Sequence, residues 1–263
     1  MRRPARSTSS PGYGTDGCIW GGEFLVCDYT GFERRAHLRY VPLAGGDTAI
    51  RQPWRVALAY LRDAFGAGTL PDVAMLAGVS ERDLRITGQM MARGINTVPT
   101  SSCGRLFDAV ASIIGLRHET NYEGQAAIEL EMTAAEGIDE RYSFELTDMR
   151  PTIEAIVRDL TAGVAKGVIA ARFHNTVADM IVEVCARVRR DERLDRVCLS
   201  GGTFQNFTLL GRTVAGLRRQ GFEVFLHAET PPNDGGLSLG QAVIAADSIP
   251  VRPKFGRVPD ASA

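Results

Sequence analysis

The stretch RVCLSGGTFQNFTLLGRTVAGLRRQGFEVFLHAETPPNDGGLSLGQAVIAA, residues 196–246, determines the fold class of this 263-residue chain. A short apolar run at 196–200 ends in a glycine pair, and a helical pattern follows at 207–220. A second β-rich run at 222–227 leads through a loop of prolines and glycines into a closing helix at 237–246. Strands that alternate with helices in this way form a largely parallel sheet, so the chain is predicted to be an α/β protein.

Upstream of this stretch, the pattern changes twice. Residues 18–29 and 32–41 are β-rich runs on either side of a glycine-containing turn, which predicts a hairpin. Residues from 54 to about 190 show apolar spacing of the helical kind with short breaks, so they are predicted to be mostly helical. Residues 1–11 and 249–263 are polar and contain proline, and both segments are predicted to be disordered.

Composition excludes several classes of protein. The chain is 44% hydrophobic and 23% charged with a formal net charge of -1, so no overall field attracts nucleic acid or a membrane. No apolar run approaches the roughly 18 residues that a membrane span needs, and a cytoplasmic location is expected. The five cysteines form no CxxC and the four histidines form no HxxxH, so neither a disulfide framework nor a self-contained metal site is predicted.

The first motif with chemical meaning is the glycine pair after the first of these strands. Gly201 and Gly202 allow the backbone to approach a phosphate or ribose, and the helix that follows offers free N–H groups to an anion. Ser200 and Asn206 flank the pair and are candidate contacts of a nucleotide. The alternative is an ordinary turn from strand to helix.

The second motif, PNDGG, opens the closing helix. Gly235 is a candidate nucleotide contact, and Asp234 is a candidate ligand of a divalent metal that bridges nucleotide phosphates. A helix cap made by the same aspartate is the alternative.

The third motif, SSCGRLFDAV, occupies residues 101–110. Gly104 permits close approach of a ligand, and Asp108 follows one helical turn later, so the two are candidate ribose contacts. Arg105 is placed to meet a phosphate or the Asp108 carboxylate, and an ordinary amphipathic helix start is the alternative.

Taken in order, seven motifs resemble the last domain of the HypF-type carbamoyltransferase family. They span roughly residues 12–246 and read YGTDGxxWGGEF, PLAGGDxAIRxPWRVALAYL, SSxGRLFDAVA, YEGQAAIELE, RFHNTVA, LSGGTFQN and PPNDGGLSLGQA. The resemblance implies the fold shared by actin, heat-shock chaperone ATPases and sugar kinases, in which ribonuclease-H-like lobes surround a nucleotide cleft. It also implies similarity to the ATPase that installs threonylcarbamoyl on tRNA adenosine.

The resemblance carries further expectations about function. Enzymes of this kind make carbamoyl-adenylate from carbamoyl phosphate and ATP, and pass the carbamoyl group to the C-terminal cysteine of the partner HypE. This reaction belongs to cyanide-ligand synthesis in the maturation of nickel–iron hydrogenases. Ser200, Gly201, Gly202 and Asn206 would then line the adenosine side of a nucleotide. By the same resemblance Gly104 and Asp108 would contact the ribose, Gly235 would lie at the nucleotide, and Asp234 would bind iron, zinc or magnesium.

The sequence also departs from the family pattern. Ser9, Ser10 and Pro11 stand where the family has Asp-Gly-Thr, and a histidine segment that supplies two metal ligands is absent upstream. The domains predicted are therefore an aberrant N-terminus at 1–11, a carbamoyltransferase lobe at 12–248 with a helical insertion at about 54–173, and a tail at 249–263.

Three functional hypotheses follow. In the first, the chain transfers carbamoyl groups together with a separately made N-terminal part, and shows no transfer alone. In the second, it is a non-catalytic remnant that binds a nucleotide or a partner. The third, a stand-alone kinase of this fold, requires a first phosphate loop and metal ligands that the sequence lacks.

One expectation concerns folding. The resemblance implies a five-stranded sheet in the order 3-2-1-4-5, with strands two to five at 18–29, 32–41, 196–200 and 222–227. Strand one should precede Gly12, but that segment is rich in serine and ends in proline, so strand one is predicted to be missing.

Overall fold

The computed structural model describes residues 12–68, 70–71 and 77–248, together with the backbone of residues 5–8. In chain order the strands of these residues are β1 (Ala5–Thr8), β2 (Gly12–Tyr13), β3 (Ile19–Trp20), β4 (Glu23–Cys27), β5 (Phe32–His37), β6 (Val41–Ala44), β7 (Thr97–Thr100), β8 (Arg196–Leu199) and β9 (Glu223–Phe225). Their α-helices are α1 (Asp47–Arg51), α2 (Pro53–Phe65), α3 (Glu81–Arg93), α4 (Cys103–Ile113), α5 (Gln125–Thr133), α6 (Arg150–Thr161), α7 (Lys166–Glu192), α8 (Phe207–Arg219) and α9 (Leu237–Ser248).

The larger sheet has the strand order β5-β4-β1-β8-β9, which confirms the 3-2-1-4-5 order. The hairpin strands β4 and β5 are antiparallel, whereas β1, β8 and β9 run parallel to one another. Parallel strands need crossover connections, and α8 supplies the one between β8 and β9.

The prediction that strand one is missing is wrong. Ala5 pairs with Val26 of β4 on one side and with Val197 of β8 on the other, so β1 is the central strand. Ladder hydrogen bonds join backbone groups, and an open slot between two strands therefore accepts a segment of poor intrinsic β-propensity. The segment that replaces Asp-Gly-Thr, residues 9–11, and the tail predicted at 249–263 lie outside the described residues.

A second sheet, β2-β3-β7-β6, was not predicted. It divides the first predicted hairpin strand, because 18–29 contributes β3 to this sheet and β4 to the other. The second predicted strand, 32–41, forms β5 and ends at the first residue of β6, which belongs to the second sheet. The first change of sheet occurs at Gly22, where an added Cβ would lie 2.4 Å from the carbonyl oxygen of Ser101. Only glycine allows so close a passage of two backbone segments.

The helices form the layer that packs on these sheets, as their spacing predicted. Phe107 of α4 and Phe173 of α7 are both buried, and their rings meet edge to face with centroids 4.9 Å apart. Leu58 and Leu61 of α2 are buried in the same core. Burial of each such side chain contributes about 1.5–3 kcal/mol to folding.

Some details of the helical region differ from the prediction. Strand β7 interrupts the segment that was predicted to be mostly helical. Helix α4 begins at Cys103, because the Ser102 hydroxyl accepts a hydrogen bond from the backbone N–H of Arg105. Within the described residues, no helix has the length and apolar character needed to cross a membrane.

Candidate functional site

Two glycine-rich turns meet at the carboxyl ends of the parallel strands β8 and β9. The backbone N–H of Gly201 donates to the carbonyl oxygen of Pro232 over 2.7 Å. A Cβ added at Gly202 would lie 3.9 Å from the Cβ of Asn233. Open α/β sheets bind ligands at this end of their strands, so the turns occupy the position where a nucleotide is expected.

Gly201 needs to be glycine for a conformational reason. Its φ is 106°, a value that side chains of L-residues rarely adopt. Directly after it, residues Gly202–Gln205 form one turn of 3-10 helix. The chain therefore changes direction sharply at the end of β8 and presents its backbone at the turn.

Gly104 brings the third motif to the same place. A Cβ added at Gly104 would lie 3.8 Å from the Thr203 hydroxyl oxygen, an ordinary contact distance. The start of α4 therefore lies against the glycine turn. Three candidate segments that are far apart in sequence are thus neighbours in the structure.

His227 is a residue of this region that the sequence analysis missed. Its Nε2 lies 2.9 Å from the Ser200 hydroxyl oxygen, and its Nδ1 lies 3.3 Å from the Thr230 hydroxyl oxygen. The histidine therefore links the two turns through side chains. The available signal was its position directly after the second parallel strand, where polar residues gather at one sheet edge.

The side-chain amide of Asn206 makes hydrogen bonds to other groups of the protein. Its side-chain oxygen accepts from the backbone N–H of Leu209 over 2.7 Å and so caps α8. Its Nδ2 lies 2.9 Å from His174 Nε2, and His174 Nδ1 lies 2.7 Å from the Ala170 carbonyl oxygen. An amide N–H can only donate, so Nε2 accepts and the imidazole is neutral. Burial lowers the pKa of His174 and favours the same state.

Asp108 is also held within the protein. Its side chain is buried, and one carboxylate oxygen lies 2.8 Å from Nη1 of Arg105. Burial raises the pKa of Asp108 to about 6, against the opposing effects of Arg105 and of a hydrogen bond from the Ala127 backbone. In this arrangement the carboxylate packs between α4 and α5, with Arg105 as its partner, and the ribose contact expected of it remains a prediction.

Asp234 and Gly235 lie in a short turn of 3-10 helix that precedes α9. The Asn233 side chain, rather than Asp234, caps this turn by accepting from the backbone N–H of Gly235 over 3.1 Å. Asp234 is exposed. Across the part of the chain that the structure describes, no three histidine, cysteine, aspartate or glutamate side chains come together as a metal site. The metal role of Asp234 remains a prediction and requires ligands from elsewhere.

The loop before β4 is organised by two carboxylates. Asp16 accepts hydrogen bonds from the Tyr40 hydroxyl over 2.6 Å and from Arg34 over 2.8 Å, which hold its pKa well below the usual range. Glu23 is fully buried and accepts from the backbone N–H groups of Gly21 and Gly22 and from the Ser101 hydroxyl. These contacts fix the crossing between the two sheets directly beside the start of α4.

The fold and the site together define a class of protein. A central sheet of order 3-2-1-4-5 with glycine turns at the ends of its parallel strands is a lobe of the actin-like fold. A protein-family model described as carbamoyltransferase, Kae1-like domain, second subdomain, matches residues 11–241. The chain belongs to the HypF carbamoyltransferase family.

Individual relatives agree with this assignment. Carbamoyltransferase HypF of Rhodobacter capsulatus is 40% identical over 251 residues, which cover 90% of this chain and 31% of the relative. Carbamoyltransferase HypF of Synechocystis is 36% identical over 257 residues, covering 88% of this chain and 32% of the relative. A crystal structure of full-length HypF in a phosphate- and nucleotide-bound form has a TM-score of 0.85 and 41% identity, covering 94% of this chain and 33% of that one. The chain thus spans about a third of the length of these relatives.

Proposed function

We propose that this chain is the lobe of a HypF-type carbamoyltransferase that binds the nucleotide end of carbamoyl-adenylate. The carbamoyl group, made from carbamoyl phosphate and ATP, passes to the C-terminal cysteine of a HypE-type acceptor during cyanide-ligand synthesis for nickel–iron hydrogenase. The chain spans about a third of the length of its relatives, so the proposed activity also involves the remaining parts of a HypF-type protein.

The observation that carries the proposal is the meeting of the two glycine turns beside Gly104. The Gly201 to Pro232 hydrogen bond joins the turns, and Gly104 places the start of α4 against Thr203 of the first turn. Ser200 lies at the same turn and is in contact with His227. A nucleotide at this position would meet the half-buried hydroxyl groups of Ser200 and Thr203 and the backbone of the turn. The nucleotide-bound relative of the same fold supports the choice of ligand.

Titration with AMP and ATP tests the nucleotide site, using two leucine variants. Gly104→Leu fills the space beside Thr203, whereas Gly211→Leu adds the same side chain in α8, where nothing lies within 4 Å of an added Cβ. Both variants replace a helical glycine, so their effects on helix propensity match. We expect Gly104→Leu to weaken binding by about tenfold or more, equivalent to about 1.4 kcal/mol, and Gly211→Leu to leave it unchanged. Equal affinities in all three proteins would remove the site from this position.

Transfer is tested by mixing the chain with the N-terminal part of a full-length relative, HypE, ATP and carbamoyl phosphate. The mass of HypE is expected to increase by one carbamoyl group only when both enzyme parts are present. The remnant hypothesis predicts nucleotide binding without any carbamoylation of HypE in the complete mixture. A mass increase with this chain as the single enzyme part would contradict the requirement for a partner.

A further inference from the structure

A cavity lies beside α4, on the face next to the one that meets the glycine turn. It has a volume of about 400 Å³, and its lining contains none of the glycine-turn residues. Gly104 faces the glycine turn, whereas the next residue, Arg105, lines this cavity. Cavities of roughly 300–1,000 Å³ are typical of small-molecule sites. The proposed nucleotide function leaves this cavity without a role.

The lining carries two cationic side chains and one anionic side chain, and one of the cations is paired with the buried carboxylate of Asp108. Arg105 and Arg51 both contribute, and Glu123 is the acidic residue of the lining. Arg105 is only 8% exposed, and the hydrogen bonding of its guanidinium is incomplete. Its Nη1 is 2.8 Å from Asp108 and 3.5 Å from the Ile50 carbonyl oxygen, while its Nε is buried without a partner. Because Nε has no accessible surface, an anion in the cavity would pair with the part of the Arg105 side chain that lines it.

The walls of the cavity are held in place by the fold. The backbone N–H of Thr120 donates to the Arg51 carbonyl oxygen over 2.8 Å, which fastens the end of α1 to the loop before α5. Farther along that loop, the Asn121 N–H donates to the Gln125 side chain over 2.9 Å. The position of Arg51 is therefore set before any ligand arrives, and preorganised contacts lose less entropy on binding.

Most of the remaining lining residues are apolar or aromatic, and Thr120 and Asn121 are the polar ones. Ile19 of β3 and Leu43 of β6 contribute aliphatic surface from the second sheet. Tyr122 contributes an aromatic ring that is 55% exposed. An anionic head group would therefore pair with the arginines while an apolar or aromatic body contacts the sheet and the tyrosine.

We propose that this cavity is a binding site for a small molecule that carries an oxyanion, a carboxylate or a phosphate, on an apolar or aromatic body. The guanidinium groups of Arg51 and Arg105 recognise the oxyanion, since arginine presents several donors that match both carboxylate and phosphate. The negative charge of Glu123 repels the oxyanion and therefore limits the affinity of the ligand. The site is separate from the glycine turns and does not depend on the nucleotide function.

Titrations of the full chain followed by NMR, with four probes, test the charge requirement. Benzoate and benzamide have the same shape, but only benzoate is charged; phenyl phosphate and inorganic phosphate separate the head group from the body. Benzoate or phenyl phosphate is expected to bind at least tenfold more tightly than benzamide. If benzoate binds more tightly than phenyl phosphate, the site prefers a carboxylate; the opposite order shows a preference for phosphate. Equal binding of benzoate, phenyl phosphate and benzamide, or binding of none, would overturn the proposal and leave the cavity to water.

Substitutions of lining residues then test whether the probe binds in this cavity. Arg51→Gln is expected to weaken binding by about tenfold, and Glu123→Gln to strengthen it. Arg218, an exposed residue of α8 outside the lining, provides the matched control Arg218→Gln, which should leave affinity unchanged. The double variant Arg105→Gln/Asp108→Asn removes both partners of the buried pair, so no unpaired charge remains, and it should abolish binding while retaining a cooperative unfolding transition. Unchanged affinity in Arg51→Gln and in the folded double variant would refute the site.

Discussion

The contact between Asn206 and His174 makes a sharp prediction about stability. Asn206→Ala removes the cap of α8, which costs about 1 kcal/mol, and leaves the buried Nε2 of His174 without a donor, which costs about 1–3 kcal/mol more. The expected loss is therefore about 2–4 kcal/mol, a large part of the roughly 5–15 kcal/mol that stabilises a domain. With a urea m-value of about 3 kcal/mol/M, the unfolding midpoint should fall by about 1 M.

Two further substitutions separate the contributions. Asn206→Ser retains a capping oxygen and loses the donor to His174, so it should be more stable than Asn206→Ala by about 1 kcal/mol. Asn206→Asp retains the cap but places a carboxylate against Nε2, which raises the pKa of His174.

The pH dependence of these proteins has a definite sign. In the wild-type protein the folded pKa of His174 is lowered by burial, so the unfolded chain binds more protons and stability falls as pH drops below about 6.5. In the Asn206→Asp protein, this loss of stability at low pH should become smaller or change sign. Urea unfolding at several pH values measures both effects. An Asn206→Ala protein within about 0.5 kcal/mol of the wild type would refute the reasoning, since that is the range of neutral surface changes.

Three other predictions follow from the described contacts. Deletion of residues 1–8 leaves β4 and β8 without their central partner, so we expect a loss of more than about 3 kcal/mol or of cooperative unfolding; an unchanged thermal midpoint would contradict the pairing. Asp108 has a folded pKa of about 6, so its contribution to stability should decrease by up to roughly 3 kcal/mol as the pH rises from 4 to 6. Urea unfolding of Asp108→Asn should therefore show a flatter dependence of stability on pH than the wild type. Identical pH dependence in the two proteins would be evidence against the buried carboxyl. Glu23→Ala leaves the backbone N–H groups of Gly21 and Gly22 and the Ser101 hydroxyl without their acceptor, and a loss of about 1–3 kcal/mol or more is expected in the same assay, with full stability as the contrary result.

The sequence alone was sufficient wherever structure is determined locally. The turn-and-helix pattern after β8 was predicted from glycines and apolar spacing, because each turn or helix is stabilised mainly by residues close in the chain. The cap of α3 is also local, since the Ser80 side chain accepts a hydrogen bond from the backbone N–H of Asp83, three residues along the chain. The position of the glycine motifs at strand ends also followed from the order of strands and helices.

Only the tertiary structure decided which groups face each other. Asn206 and Asp108 have the residue types of ligand contacts, but long-range packing gives them His174 and Arg105 as partners. The same applies to β1, which the sequence disfavours and the two flanking strands accept. Backbone pairing and buried hydrogen bonds depend on which other segments of the chain pack nearby. In the described residues, these partner segments lie tens to hundreds of positions away in the sequence. Local propensity therefore determines where elements begin, whereas the packed core determines which polar groups remain open to a ligand.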